Sequence, residues 1–354
     1  MNQTLHQQLQ SVIEQSLRES HIPGAAVAIR RNGESFFEMG VGYQDLNHNQ
    51  PLVTDASFYI YSVTKSLLAI ASLDLVGKGI LNLDDSIQSH LPDFSLDPSI
   101  TLRHILSHTS GIPDYGEMSA YSDAVKATPT IPWSEETFLK IITQGLHFQP
   151  GTGWQYSNIG YLVLKCLLER ITGQSMQQLL SQVIFTPLSL QRTFVPKTLG
   201  DVTVLTPGYT AFFSGAELQN MTSLYHPGWV SHGVVISTAP ELAKMIEALF
   251  FNKIISSAFT EQMLCPAYVV GKHPLFEKPA YGLGLMIDLA SPYGRVAGHG
   301  GGGPGYSVAA LHFPNLAGSR ITIAASTNQD QNDYSFVLVF KLVEILKKFL
   351  EPQH

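Results

Sequence analysis

Cysteine is scarce in this 354-residue chain: only Cys166 and Cys265 are present. Two such residues make no disulfide framework, and Cys166 lies in an amphipathic helical run where a free thiol behaves as a small buried hydrophobe. Charge is sparse as well, at 14% of residues, with a net charge of −7 and a pI near 6.0. Nucleic acid needs a basic face, so it is excluded as a partner. No run of like charges forms an interaction tail. Apolar runs of ~18 residues are missing, so no membrane span is expected. The first thirty residues lack the basic start, apolar core and small-residue cleavage site of a signal peptide. A cytoplasmic location is the expectation, or a periplasmic or secreted one if a leader has been removed. The oligomeric state is left open.

What is present is an ordered globular chain, 44% hydrophobic. Single cores stop growing near roughly 250–300 residues, which predicts two lobes. Leu5, Leu9, Val12, Ile13 and Leu17 recur at helical spacing over about 3–19. Ala25 to Arg30 and Ser35 to Tyr43 read as strands joined by Asn32-Gly33. From about Leu81 to Leu224 short helices alternate with Pro/Gly loops. Thr101 caps one that runs to Gly111, Ser134 starts one stopped by Gly145, and Asn158–Thr172 and Ser175–Phe185 follow. Strand character returns at Val234-Val235-Ile236. Thr238-Ala239-Pro240-Glu241 reads as a capping box that launches a helix to about Phe251. Tyr281–Asp288, Arg295–Gly300, Ser307–Phe313 and Arg320–Ser326 read as successive strands, and Tyr334–Leu350 as a final helix. The expectation is an α+β architecture. Residues 1–80 and 225–354 form an antiparallel sheet flanked by helices, and 81–224 an inserted all-helical lobe, with the site between them.

One stretch organises the chain. Phe58 to Ser62 leads into a helix that is apolar on almost every side, the pattern of a helix in the middle of a protein. Ser62 and Lys65 share a face three residues apart. A buried lysine loses pKa and can take a proton from a serine. The same residues also describe an ordinary helix start with a solvated lysine. Tyr156-Ser157-Asn158 places a phenol, a hydroxyl and an amide on a loop before a helix. A tyrosine between cations can act as a base, and an asparagine can orient a lysine, although a core tyrosine and a helix-capping asparagine read equally well. His299 is followed by Gly300 to Gly303 within a strand pattern, where missing side chains mark close backbone approach to a ligand. His104 and His108 are spaced for a metal, but no third ligand accompanies them and none is assigned.

Ser62-Val63-Thr64-Lys65, Tyr156-Ser157-Asn158 and His299-Gly300-Gly301 stand in the order of the three motifs of the penicillin-recognising serine hydrolases. From about Pro23 to Asn328 the chain resembles the class C β-lactamase branch, with its D-alanyl-D-alanine carboxypeptidases, D-aminopeptidases and family VIII esterases. The resemblance implies a β-lactamase/transpeptidase-like fold and an acyl-enzyme mechanism without cofactor. Ser62 would be the nucleophile, Lys65 the proton acceptor, and Tyr156 the proton relay that activates the deacylating water. Asn158 would hold Lys65 and the substrate amide, with His299, Gly301 and Gly302 lining the substrate site. The N–H groups of Ser62 and Gly302 would form the oxyanion hole.

Two departures bear on substrate. His299 replaces the lysine of most β-lactamases, and Gly300 replaces a threonine that helps bind a carboxylate. A histidine is charged only part of the time near neutral pH, so His299 is expected to tune the use of anionic substrates with pH. The Ser231-His232-Gly233-Val234 segment lacks the paired glycines of the family. No Gly-x-Ser-x-Gly elbow exists, which argues against an α/β-hydrolase. The leading expectation is hydrolysis of a small ester, amide or short peptide. A true β-lactamase is the alternative within the class, and a sensor that acylates without turnover the alternative outside it.

Overall fold

The computed structural model describes residues 3–331 and 333–351; residues 1–2 and 352–354 of the expected sheet lobe lie outside them. Leu5, Leu9, Ile13 and Leu17 put a buried side chain on one face at each turn, and helix α1 (Gln3–Glu19) forms where the spacing predicts. Asn32 (φ +52°) and Gly33 (φ +96°) make the turn between β1 (Gly24–Arg31) and β2 (Glu34–Gly42), which needs positive φ at both central positions.

Six later strands join these two: β3 (Tyr268–Val269), β4 (Pro279–Tyr281), β5 (Met286–Asp288), β6 (Val296–Gly303), β7 (Tyr306–Leu316) and β8 (Ser319–Thr327). The eight-stranded sheet runs β2-β1-β8-β7-β6-β5-β4-β3, antiparallel throughout. Its central strands alternate between two cores. Ala25, Val27 and Ile29 face one, while Ala26, Ala28, Ala310 and Ala324 face the other.

Four further helices position the site: α2 (Thr64–Gly77), α3 (Asn158–Thr172), α4 (Ala239–Phe250) and α5 (Tyr334–Leu350). Helices α1 and α5 cover the first core, and α4 packs on the alanine face, where small side chains permit close approach. Every residue of α2 from Thr64 to Leu73 is buried, as a helix apolar on all sides requires. The second core continues without interruption from the sheet through α2 to α3 and the Met176–Leu180 helix.

Several expectations are corrected. The stretch Tyr281–Asp288 is two strands, because the chain reverses at Gly284 (φ +71°) and Gly282 N–H donates to Leu285 O at 2.9 Å. The strand expected at Val234 begins at Ile236 and pairs with Ser57–Tyr59 in a separate two-stranded sheet. The Thr101-capped helix stops at Leu106, since His108 turns left-handed (φ +59°). Thr238 caps α4, but Glu241 does not close the box. Its carboxylate instead accepts from Gln191 N, Arg192 N and the Thr193 hydroxyl. The Ser257–Leu264 helix and the short Tyr209–Thr210/Gln219–Asn220 pair were not legible in the pattern. Among the described residues no helix is long and apolar enough to cross a membrane.

Candidate active site

Ser62 sits in a 3-10 turn, Tyr61–Val63, that runs directly into α2. The residue before it is strained: Tyr61 adopts φ +41°, a left-handed backbone that costs a non-glycine residue roughly 1–3 kcal/mol. Its hydroxyl donates to Pro304 O at 2.5 Å, which ties the strained turn to the hairpin after β6. The Val63 and Thr64 positions then lock the helix start. Val63 N–H donates to Ile60 O at 3.1 Å, and Thr64 Oγ1 accepts from Val235 N at 3.1 Å.

One helical turn on, Lys65 is wholly buried, with Nζ 3.0 Å from Ser62 Oγ and 2.7 Å from Asn158 Oδ1. Nζ also lies over the Tyr156 ring, 4.8 Å from its centroid. Burial pulls the amine down from its ordinary value to about 7, and the Asp114 carboxylate opposes that pull. The reading of Lys65 as a solvated surface lysine is therefore excluded. Asn158 is the first residue of α3, whose cap is Ser157: its hydroxyl accepts from Gly160 N at 3.0 Å. That corrects the alternative in which Asn158 itself caps the helix. Asn158 is fixed by Asp114, whose two oxygens accept from its N–H at 2.8 Å and its Nδ2 at 3.1 Å. This leaves Oδ1 facing Lys65 and assigns the amide orientation. Burial raises Asp114.

Tyr156 lines the same cleft as Ser62. Its phenol is pushed well above its ordinary value, mainly by burial, while the Ser62 side chain pulls it down. Tyr156 therefore holds its proton near neutral pH. Packed against it, with ring centroids 4.2 Å apart and planes tilted by 34°, is His108, whose Nδ1 accepts from Ser157 N at 3.1 Å. His104 closes the cap of the preceding helix, with Nδ1 accepting from Thr101 N at 3.2 Å. Both histidines are thus tied into local structure, and among the described residues no cluster with metal-ligand composition occurs.

The opposite wall is β6. A methyl group at Gly301 would overlap the Ile60 carbonyl oxygen and stand 2.9 Å from Ser62 N, so the strand lies flat on the nucleophile's backbone. A methyl at Gly302 would meet nothing within 4 Å and would point into open space. At Gly300 it would overlap the Phe336 ring on α5, which explains why the threonine of the family pattern has no room here. Ser62, Tyr156, His299 and Gly300 to Gly303 line a cleft of about 280 Å³. Among the described residues that line it, Asp330 and Asp333 are the acids, and no Lys or Arg takes part.

His299 lines the cleft but is 2% exposed, with both ring nitrogens engaged. Nδ1–H donates to Gly300 O at 2.6 Å, so Nε2 accepts from the Tyr281 hydroxyl at 2.9 Å. Burial lowers it to about 3. The expected partial charge near neutral pH does not hold; His299 is a neutral group here. Three residues beside the predicted set were missed. Asp114 follows the Gly111-Ile112-Pro113 turn, a loop acid with no periodic signal. Tyr281 partners His299 from β4, two strands along the sheet. His232 brings Nε2 to 3.3 Å from Lys65 Nζ, from the segment that departs from the family's glycines.

The β-lactamase family profile matches residues 9–343. Penicillin-binding protein 4* of Bacillus subtilis (strain 168) is 27% identical across 98% of this chain and 77% of its own length. Protein flp of Staphylococcus aureus (strain MW2) is 32% identical over 54% of this chain, which spans only 39% of flp. Among solved structures, a D-stereospecific amidohydrolase from Streptomyces sp. superimposes with a TM-score of 0.79 at 25% identity, covering 94% of this chain and 97% of the other. The sheet, the order of the three motifs and these matches agree, and the chain belongs to the β-lactamase family of serine hydrolases.

Proposed function

We propose that this hydrolase cleaves a small amide or ester, of the D-amino-acid amide or peptide type, through an acyl-enzyme on Ser62. The observation that carries the reading is the buried Lys65 amine, brought to about 7 and set 3.0 Å from Ser62 Oγ. The Ser62 oxygen attacks the substrate carbonyl carbon and its proton passes to Lys65 Nζ. The oxyanion takes the N–H groups of Ser62 and Gly302, each such donor being worth roughly 10²–10³ in rate. The proton returns through the neutral Tyr156 hydroxyl to the departing amine or alkoxide. Water then repeats the steps in reverse and releases the acid. Every group used is a protein atom or water.

The walls of the cleft support a substrate class. The cleft's acids and its neutral histidine disfavour a carboxylate-bearing substrate and accept a neutral or ammonium-bearing one. The name of the Streptomyces neighbour, a D-stereospecific amidohydrolase, supports an amide. In this reading the cleft divides two lobes, residues 1–80 with 225–354, and residues 81–224. The test is a panel of a D-alanine anilide, a short-chain nitrophenyl ester and a chromogenic cephalosporin. The anilide and the ester should each exceed the cephalosporin in kcat/KM by about tenfold or more. A cephalosporin turned over fastest would make the protein a β-lactamase; a burst without steady state on all three would make it a sensor.

A further inference from the structure

A neutral lysine amine carries two N–H groups and one lone pair, and only the lone pair can take the Ser62 proton. Among the described residues three groups lie within hydrogen-bond reach of Lys65 Nζ: Asn158 Oδ1 at 2.7 Å, Ser62 Oγ at 3.0 Å and His232 Nε2 at 3.3 Å. Asn158 Oδ1 can only accept. The state of His232 therefore decides where the lone pair points. If Nε2 is bare, it takes the second N–H and leaves the lone pair for Ser62. If Nε2 carried the proton, it would occupy the lone pair itself and leave Ser62 without a base.

We infer that His232 is a positioning residue that aims the Lys65 lone pair at Ser62, an inference that rests on the acyl-enzyme reading above. Its place is fixed by the fold. The 232–235 segment runs along the start of α2, where Val235 is tied by its N–H to Thr64 Oγ1 and by its carbonyl to Ile60 N. His232 is 1% exposed, and its Nδ1 has no partner among the described residues. The productive tautomer buries that Nδ1–H unpaired, a cost the site bears for the acceptor it presents to Lys65. After proton transfer the ammonium has three N–H groups for three partners, and no neighbour needs to move. His232 itself feels Lys65, His299, His108 and Lys165, and burial keeps it far below its ordinary value. Lys65 is faced by Asp114, by the Tyr156 and Tyr161 rings and by His232.

The test compares His232→Gln, whose amide reaches the place of Nε2, with His232→Asn, which reaches only to Nδ1. The readout is the rate of fluorophosphonate labelling at Ser62 as a function of pH, with a thermal melt of each variant. In that reaction the Oγ–P bond forms, P–F breaks, fluoride leaves and the Ser62 proton goes to Lys65. His232→Gln should keep the plateau rate within about threefold and leave the acid limb in place, whereas His232→Asn should lower the plateau about tenfold or more. Its acid limb should move to lower pH, because the ammonium loses an acceptor that stabilised it more than the amine. A merely structural role would instead admit water to Lys65 and move the limb up. An Asn plateau equal to wild type, an upward limb, or a Gln variant as slow as Asn would each overturn the inference. If His232→Asn does not fold, His232→Gln alone decides, a loss beyond about tenfold overturning it and a retained rate supporting it. Wild-type protein that takes no label at Ser62 would refute the acyl-enzyme reading, whereas label with rates indifferent to His232 would refute only this one.

Discussion

Lys65, at the start of α2, and His299, on β6, are both buried bases beside the cleft, and burial lowers both, yet they end in different states. Lys65 is opposed by Asp114 and comes to about 7, where its proton exchanges near neutral pH. His299, with no carboxylate acting on it among the described residues, comes to about 3 and commits both nitrogens to Gly300 and Tyr281. One wall of the site thus concentrates coupled titratable side chains. The other offers backbone: Gly301 lies flat on the Ser62 turn and Gly302 faces open space. The difference teaches that similar burial leaves different bases: both groups fall by about the same amount, and the lysine's higher ordinary value, held up by Asp114, keeps it titrating in a useful range.

The comparison breaks first at the backbone wall. Gly301→Ala forces a methyl against Ile60 O and Ser62 N, so kcat/KM should fall by about 10²-fold or more while the fold survives in a thermal melt. Next comes the charge that poises Lys65. Asp114→Asn removes the carboxylate that raises the lysine, so Lys65 falls further and the acid limb of kcat/KM should move to lower pH. The same change weakens the grip on Asn158, and the plateau should drop roughly tenfold. Gly302→Ala should change turnover of small substrates by about threefold at most, since the N–H remains and its methyl meets nothing. The smallest effect is an expected constancy. Because burial lowers His299 to about 3, it is neutral well before this range, and the ratio of rates for anionic and neutral substrates should not follow a histidine titration between about pH 5 and 8. A ratio that falls through that range would restore a charged His299.

Much of this was legible because local rules and tertiary contacts agreed. The α1 spacing, the Asn32-Gly33 turn, the Ser157–Gly173 helix bounds and the Tyr334–Leu350 helix all follow from short-range patterns. Ser62, Lys65, Tyr156, Asn158 and the glycine strand could be named because motif order is carried by the chain itself. Asp114 and His232 could not, since their roles come from distant segments folding onto Lys65. The charge of His299 misled for the same reason: its partner Tyr281 lies two strands away, and burial cannot be read from a residue name. Glu241 satisfied a capping pattern on paper, but the 191–193 segment claimed its carboxylate.

The most direct test of the account is peptide mapping by mass spectrometry after reaction with a fluorophosphonate. The account predicts a single adduct on the peptide containing Ser62 and none in Ser62→Ala. An adduct on another residue, or undiminished labelling of Ser62→Ala, would contradict it.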